Sequence, residues 1–294
     1  MCAIAAKKSN YYNSISYFKQ AIVCLSSVQS CRKIIVSNAT NIDKEIIKIA
    51  SILKIEIIFY PFNNFVFDEN IPWYLAYYKL CALHFICNNY NFKRILIVDT
   101  DTIFIRKIDN IWDEAGDNIM LYELPYSIKH QDRMTFIREA NEFLNSKKNY
   151  IYYGGEFVCG KKEIITDYIN TCLIIYRKMV ENNFLSCRGD EFIWSVAAIQ
   201  FEIVNASPCV CRYWTGRSYE VSTNYYYSEI VLLHLPNEKD NGFIHYYKKV
   251  LKNKKNNLKT IIKIFHLPSY KKSLLKYNFL DIKKFFKKRK NKSV

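Results

Sequence analysis

Short β-branched runs alternate with amphipathic stretches over the first hundred residues, and nothing else in the sequence narrows the fold as far. CAIAA at 2–6 is an apolar run that suits a buried strand. In the stretch from Tyr11 to Val28, Ile15, Phe18, Ile22 and Leu25 recur at helical spacing, with Asn13 or Ser14 as the expected cap. KIIVSN at 33–38 reads as a strand. NIDKEIIKIASILK is a helix through Ile42, Ile46, Ile47 and Ala50, and IEIIFYPF is a third strand. Residues 72–90 predict a longer helix with Trp73, Ala76, Tyr77, Leu80 and Leu83 or His84 on one stripe. The apolar run Ile95–Val98 then ends at Asp99 and Asp101. Such a rhythm is that of βαβ units, and it predicts an α/β chain with a mostly parallel central sheet flanked by helices. Ligands of these sheets bind beyond the carboxyl ends of the strands, where Asp99 and Asp101 fall.

The second half is less regular. YIYYGGEFVCG at 150–160 suggests a strand with a Gly-Gly bend, 163–183 and 190–200 suggest helices, and 201–207 and 229–236 suggest strands. Half of the 294 residues are hydrophobic, with only 7 Gly and 6 Pro, so collagen-like, linker-like and disordered readings are excluded for most of the chain. The net charge of +16 is concentrated at one end. From Lys248 to Val294 there are 17 Lys and Arg and one acid, Asp281, whereas 1–247 is neutral. We therefore divide the chain into a body, 1–247, and a basic tail, 248–294.

The ten cysteines contain no C-x-x-C pair, which argues for small buried hydrophobes in a reducing compartment rather than a zinc site. The first residues lack the basic and apolar regions of a signal peptide, and no apolar run approaches membrane-spanning length. The expected location is cytoplasmic.

The strongest chemical signal is RILIVDTDTIFIRKI. Two carboxylates set immediately after a buried strand repel one another and favour water, and a divalent cation removes that conflict. Hard oxygen ligands suit Mn²⁺ or Mg²⁺. A solvated turn is the alternative for so short a motif, and the apolar context on both sides favours the metal. Asp190-Glu191 opens a predicted helix, where the dipole alone accommodates acids. Trp214 and Arg217 in CRYWTGRSY are candidates for a ligand pocket, with a core role as the alternative for the tryptophan.

The order of these motifs resembles the nucleotide-sugar glycosyltransferases of the GT-A fold, closest to retaining family 8, with features of family 6. In that resemblance Ala5, Ala6 and Tyr11 would hold the nucleoside, and Tyr78-Lys79-Leu80 matches a Tyr-Arg-Leu motif. Asp99-Thr100-Asp101 matches the acidic motif, and Tyr153-Gly154-Gly155-Glu156-Phe157 an aromatic, small-residue strand. Gly189-Asp190-Glu191-Phe192 matches the acidic segment that opens a helix, and His234 a late metal-binding histidine. The resemblance implies a GT-A-like single domain and a hexosyltransferase (EC 2.4 class). Its donor site would comprise Ala5, Ala6, Tyr11, Lys79, Asp99, Gly155 and Lys239. Its metal ligands would be Asp99, Asp101 and His234, and its catalytic carboxylates Asp190 and Glu191. Asn usually stands where this chain has Gly154, and the residues after His234 are spaced differently. Such an enzyme uses Mn²⁺ or Mg²⁺ to move a hexose from a nucleotide sugar, a UDP-sugar above all, to a glycan or lipid-linked acceptor. The residues agree with it: a diphosphate leaving group needs a cation and basic donors, and developing oxocarbenium charge needs a carboxylate.

The tail adds amphipathic helical stripes, Leu258-Ile261-Ile262-Phe265 and Leu275-Phe279-Ile282-Phe286, among many lysines. That pattern suits an anionic membrane surface, with peripheral attachment as the consequence. One rival is nucleic-acid binding through the tail, which the neutral body disfavours, so no nucleic-acid partner is expected. Another is a nucleotidyltransferase built on the same acids, which lacks the expected Gly-rich, basic loop after the first strand.

Overall fold

The computed structural model describes residues 1–6, 11–29, 31–71, 73–215, 229–251 and 258–267, with backbone alone at 11–13. Its first part runs β1 (Cys2–Ile4), α1 (Tyr11–Ser27), β2 (Lys33–Ser37), α2 (Lys44–Ile52) and β3 (Ile55–Phe59). A 3₁₀ turn, Tyr74–Tyr77, then passes directly into α3 (Tyr78–Asn89), followed by β4 (Arg94–Val98). β1 pairs parallel with β2, and β2 parallel with β3. On the other side of β1, the Met1 amino group donates to the Leu96 carbonyl and the Val98 N–H donates to the Met1 carbonyl. That alternation is the pattern of a parallel pair. The order 3-2-1-4 therefore has four carboxyl ends on one edge, and the expected βαβ rhythm holds.

Local chemistry explains these elements. Ile95, Leu96, Ile97 and Val98 are all buried, as a strand covered on both faces requires. The Asp43 side chain accepts from the Glu45 N–H and starts α2. α3 is apolar almost all round, with Leu80, Cys81, Ala82, Leu83, Ile86 and Cys87 buried. It can be so because it lies between the sheet and another helix.

The chain continues through β5 (Thr102–Phe104), α4 (Asp109–Ala115), β6 (Ile119–Glu123), α5 (Gln131–Leu144), β7 (Tyr153–Lys161), α6 (Lys162–Glu181) and α7 (Asp190–Ala198). It then forms β8 (Ile203–Asn205), β9 (Val210–Arg212), β10 (Leu232–His234), α8 (Gly242–Val250) and α9 (Leu258–Ile264). α6 is the helix covering α3. β7 lies antiparallel between β4 and β6, and β8 runs parallel to β6, so the sheet is parallel on one side and mixed on the other. A small second sheet has β10 in its middle, antiparallel to β5 and parallel to β9. The buried side chains form one contiguous core. The α/β single-domain expectation is correct.

Several details differ from what the sequence pattern predicts. α1 begins at Tyr11, so Asn13 and Ser14 lie inside its first turn rather than capping it. Trp73 has left-handed backbone angles and is exposed, so it leaves the α3 stripe. The Gly-Gly bend is a break in register within β7. Leu121 faces Val158, but Glu123 faces Tyr153 instead of the Glu156 that an unbroken ladder would place there. α4, β6, α5 and β9 are additions to the expected elements.

The expected boundary between 247 and 248 falls inside α8. The first stripe of the tail turns toward the body: Ile261 and Phe265 are buried, and the Phe265 ring packs against Phe243 and Tyr246. The second stripe, Leu275 to Phe286, lies outside the described residues, as does Arg217. Among the described residues no helix is long and apolar enough to cross a membrane. All ten cysteines are free thiols, eight of them buried.

Candidate active site

The β4 strand stops at Val98 because the chain turns there. The Asp99 N–H donates to the Glu156 carbonyl of β7, and the Thr102 hydroxyl closes back on the Asp99 carbonyl. The turn places Asp99 and Asp101 on the carboxyl edge of the sheet. Asp101 is pinned from behind, since its carbonyl accepts from the Leu235 N–H. Thr100 donates to Gln20 of α1.

β10 supplies the histidine. Its register sets His234 opposite Thr102, which brings the imidazole beside the acidic turn. Nε2 of His234 lies 3.1 Å from Oδ2 of Asp101 and 3.8 Å from Oδ2 of Asp99. Ligand atoms of Asp99, Asp101 and His234 lie within 4.8 Å of one another. Two carboxylate oxygens and one imidazole nitrogen form a donor set suited to Mn²⁺ or Mg²⁺, so the residues fit the expected cation.

Behind the histidine is a carboxylate. Oε1 of Glu156 lies 3.2 Å from Nδ1 of His234, the arrangement that fixes a ligand imidazole from its far side. Glu156 is fully buried in β7, and its charge is balanced by Arg212 of β9, which grips it bidentately at 2.6 Å on both oxygens. Burial works against the charge of Glu156, and the Arg212 guanidinium with His234 overrides it, holding the carboxyl well below its usual range. Burial would likewise lower the pKa of His234, but Asp101 and Glu156 push it up to about 9. For Asp101, burial is again outweighed, here by His234 and Lys239, and its pKa falls.

The same guanidinium reaches α7. Arg212 Nη2 lies 2.6 Å from Oε1 of Glu191, whose other oxygen accepts from the Tyr152 hydroxyl. Asp190, one residue earlier, is buried and points the other way. Its Oδ2 accepts from Trp194 Nε1 at 3.0 Å and pairs with Lys79 at 3.0 Å. Burial raises the Asp190 pKa, and Lys79 opposes the rise. Lys79, on α3, also donates to Oδ1 of Asp99 at 2.7 Å and to the Gly155 carbonyl at 2.9 Å. An ammonium has three N–H donors, and these three partners use them all. Burial would lower the Lys79 pKa, but Asp190 and Asp99 raise it.

Gly155 is where it is for a steric reason. A Cβ there would meet Oδ2 of Asp190 at 2.5 Å and Nζ of Lys79 at 3.0 Å. Lys239 follows the 3₁₀ turn Pro236–Glu238, which Glu238 and Asn237 tie to Thr215. Its ammonium stands 3.4 Å from Oδ2 of Asp101, with 40% of the side chain exposed.

The structure therefore gathers Lys79, Asp99, Asp101, Gly155, Asp190, Glu191, His234 and Lys239 around one edge of the sheet. Ala5 and Ala6 leave β1 on that same edge, where the Asn38 side-chain amide bonds both the N–H and the carbonyl of Ala6. Tyr11 opens α1 and is described by its backbone alone. Trp214 is half-buried rather than a core residue. Sequence reasoning missed Arg212 altogether and assigned Glu156 no task. The available signal was a glutamate inside an otherwise apolar strand, which has to find a buried cation.

Neither a family model nor a curated protein sequence matches the chain. Among solved structures it is similar to an active-site mutant of LgtC, with a TM-score of 0.58 at 10% identity, covering 86% of this chain and 95% of that one. Apo mouse xyloside xylosyltransferase 1 is also similar, with a TM-score of 0.48 at 12% identity, covering 79% of this chain and 95% of that one. At 10% identity the likeness to the LgtC mutant concerns the fold, which matches the GT-A-like arrangement of a mixed sheet between helices.

Proposed function

We propose that the chain is a metal-dependent glycosyltransferase that moves a hexose from a UDP-sugar to a glycan or lipid-linked acceptor with retention. The observation that carries this reading is the Asp99–Asp101–His234 cluster standing beside Lys239 on one side and the Asp190–Glu191 pair on the other. A divalent cation held by Asp99, Asp101 and His234 would neutralise charge on the diphosphate leaving group.

The remaining tasks fall to the protein's own groups. Lys239, partly open to solvent, offers N–H donors to a phosphate oxygen. Lys79 has its donors taken, so its contribution is to hold Asp99 and Asp190 in place rather than to grip the phosphate. Glu191, with 21% of its side chain exposed against 7% for Asp190, is the carboxylate available to face developing positive charge on the sugar. Arg212 and Tyr152 orient it. Asp190 acts through Lys79 and Trp194 to set the start of α7.

On the same reading the enzyme works at the cytoplasmic membrane face. The segment beyond residue 267, with ten Lys and Arg against one acid, would dock on an anionic surface. Liposome binding that survives removal of that segment would overturn the membrane assignment. The central test is calorimetric titration with UDP, with and without Mn²⁺, beside the Asp99→Ala/Asp101→Ala variant. Metal-dependent UDP binding that the variant abolishes supports the function. Metal-independent binding, or none to any nucleoside diphosphate, removes it.

A further inference from the structure

Trp73 has 66% of its surface open to solvent, more than any other large apolar side chain among the described residues. A single exposed indole needs no explanation by itself. Its backbone does: φ is 68° and ψ 10°, the left-handed region that a bulky residue seldom occupies. Strain of this kind persists only where its surroundings impose it, and it clusters at ligand sites.

The surroundings here are Gly189, which also has a positive φ, 61°. A Cβ on Gly189 would lie 2.9 Å from Cβ of Trp73 and 3.4 Å from its Cγ, so only glycine fits beneath the tryptophan. Gly189 is the residue before Asp190 and Glu191. Six residues after Trp73, Lys79 pairs with Asp190. Contacts thus run from Asp99 through Lys79 and Asp190 to Gly189 and Trp73, with the indole at the opposite end from the metal ligands. The fold thus holds an apolar side chain largely in water, against the glycine that precedes its candidate catalytic carboxylates.

We infer that Trp73 is a stacking platform for a pyranose ring, on the acceptor side of the site. The inference rests on the glycosyl-transfer reading and adds a subsite to it. A pyranose presents one face of C–H groups, which matches the electron-rich face of an indole, and its edge hydroxyls remain in water. No charge is required at the platform, so it suits a neutral sugar ring.

The test uses the full chain and two simple probes, methyl β-galactopyranoside and methyl α-glucopyranoside, observed by saturation-transfer NMR. Trp73→Asn removes the ring while keeping a residue that accepts left-handed angles. Trp73→Phe keeps a flat aromatic face. Saturation should pass to the ring C–H protons of at least one probe, fall by about fivefold in Trp73→Asn, and return in Trp73→Phe. Undiminished transfer in Trp73→Asn, or none to either probe with the unaltered chain, overturns the platform. Calorimetry of UDP with Mn²⁺ on the unaltered chain reads the donor side separately. If neither UDP nor any other nucleoside diphosphate binds while Trp73-dependent transfer persists, the glycosyl-transfer reading falls and the sugar platform stands. If UDP binds normally while transfer is independent of Trp73, the platform falls and the glycosyl-transfer reading stands.

Discussion

Glu156 stands between His234 and Arg212, with Oε1 3.2 Å from the imidazole Nδ1 and 2.6 Å from the guanidinium Nε. One buried carboxylate thereby links the candidate metal site to the arginine that orients Glu191. Replacing it separates those two tasks from simple packing.

Glu156→Gln keeps the shape and removes the charge. Arg212 then lacks its main counter-ion, and a broken buried pair costs about 3–5 kcal/mol. Loss of the group behind a ligand histidine typically weakens metal binding by about 10–100-fold. Denaturant unfolding of the metal-free chain measures the first effect, and Mn²⁺ titration in the presence of UDP measures the second. An unchanged Mn²⁺ affinity would show that Glu156 serves stability alone.

Arg212→Lys tests the other end. A lysine keeps the charge but cannot hold Glu156 bidentately while reaching Glu191. Turnover should fall by at least about tenfold while UDP affinity changes little, since Glu191 is freed and the donor contacts remain. Steady-state kinetics beside UDP calorimetry distinguish this from a general loss of fold.

The pH dependence follows from His234, whose pKa is pushed up to about 9 in the folded chain, against roughly 6.5 when unfolded. A raised pKa stabilises the protonated fold, so this contribution is complete below about pH 6.5 and is lost as pH rises through about 9. A cation needs the neutral ring, so Mn²⁺ must displace that proton. Its apparent affinity should therefore increase with pH, by up to about tenfold per unit, and level off near pH 9. Thermal melts with chelator should fall between about pH 6.5 and 9, whereas melts at saturating Mn²⁺ should stay level there, because the rising affinity offsets the loss.

Gly155→Ala places a Cβ against Asp190 and Lys79. Both neighbours present side-chain ends, so the fold should lose only about 1 kcal/mol while they move apart. The site should suffer more, with transfer activity reduced by at least about tenfold. Equal activity in the variant would mean that the Lys79–Asp190 contact has no part in catalysis.

The parts of this site legible in the sequence are those coded locally. Asp99 and Asp101 follow an apolar strand, and Asp190-Glu191 opens a helix, so spacing and composition expose them. The opening βαβ rhythm is legible for the same reason, because each unit is patterned over a few residues. His234 is visible only through resemblance, since its place depends on β10 pairing with β5 across more than a hundred residues. Arg212 and the task of Glu156 depend on β7 and β9 meeting around one buried charge. No window of sequence records that meeting. Trp73 fits a helical stripe by its spacing, and only the backbone angles that Gly189 accommodates reveal otherwise.

The small sheet has a bearing on the order of events as the chain folds. β5 emerges early, directly after the acidic turn, yet its partner β10 arrives some 130 residues later. Closing so long a loop is slow, because its entropy is lost before the pairing returns anything. Asp99 and Asp101 therefore wait without their histidine while the intervening segment is made and, in refolding, until that loop closes. Competence to hold a cation should appear among the last events, which makes Mn²⁺ capture a clock for completion of the native state.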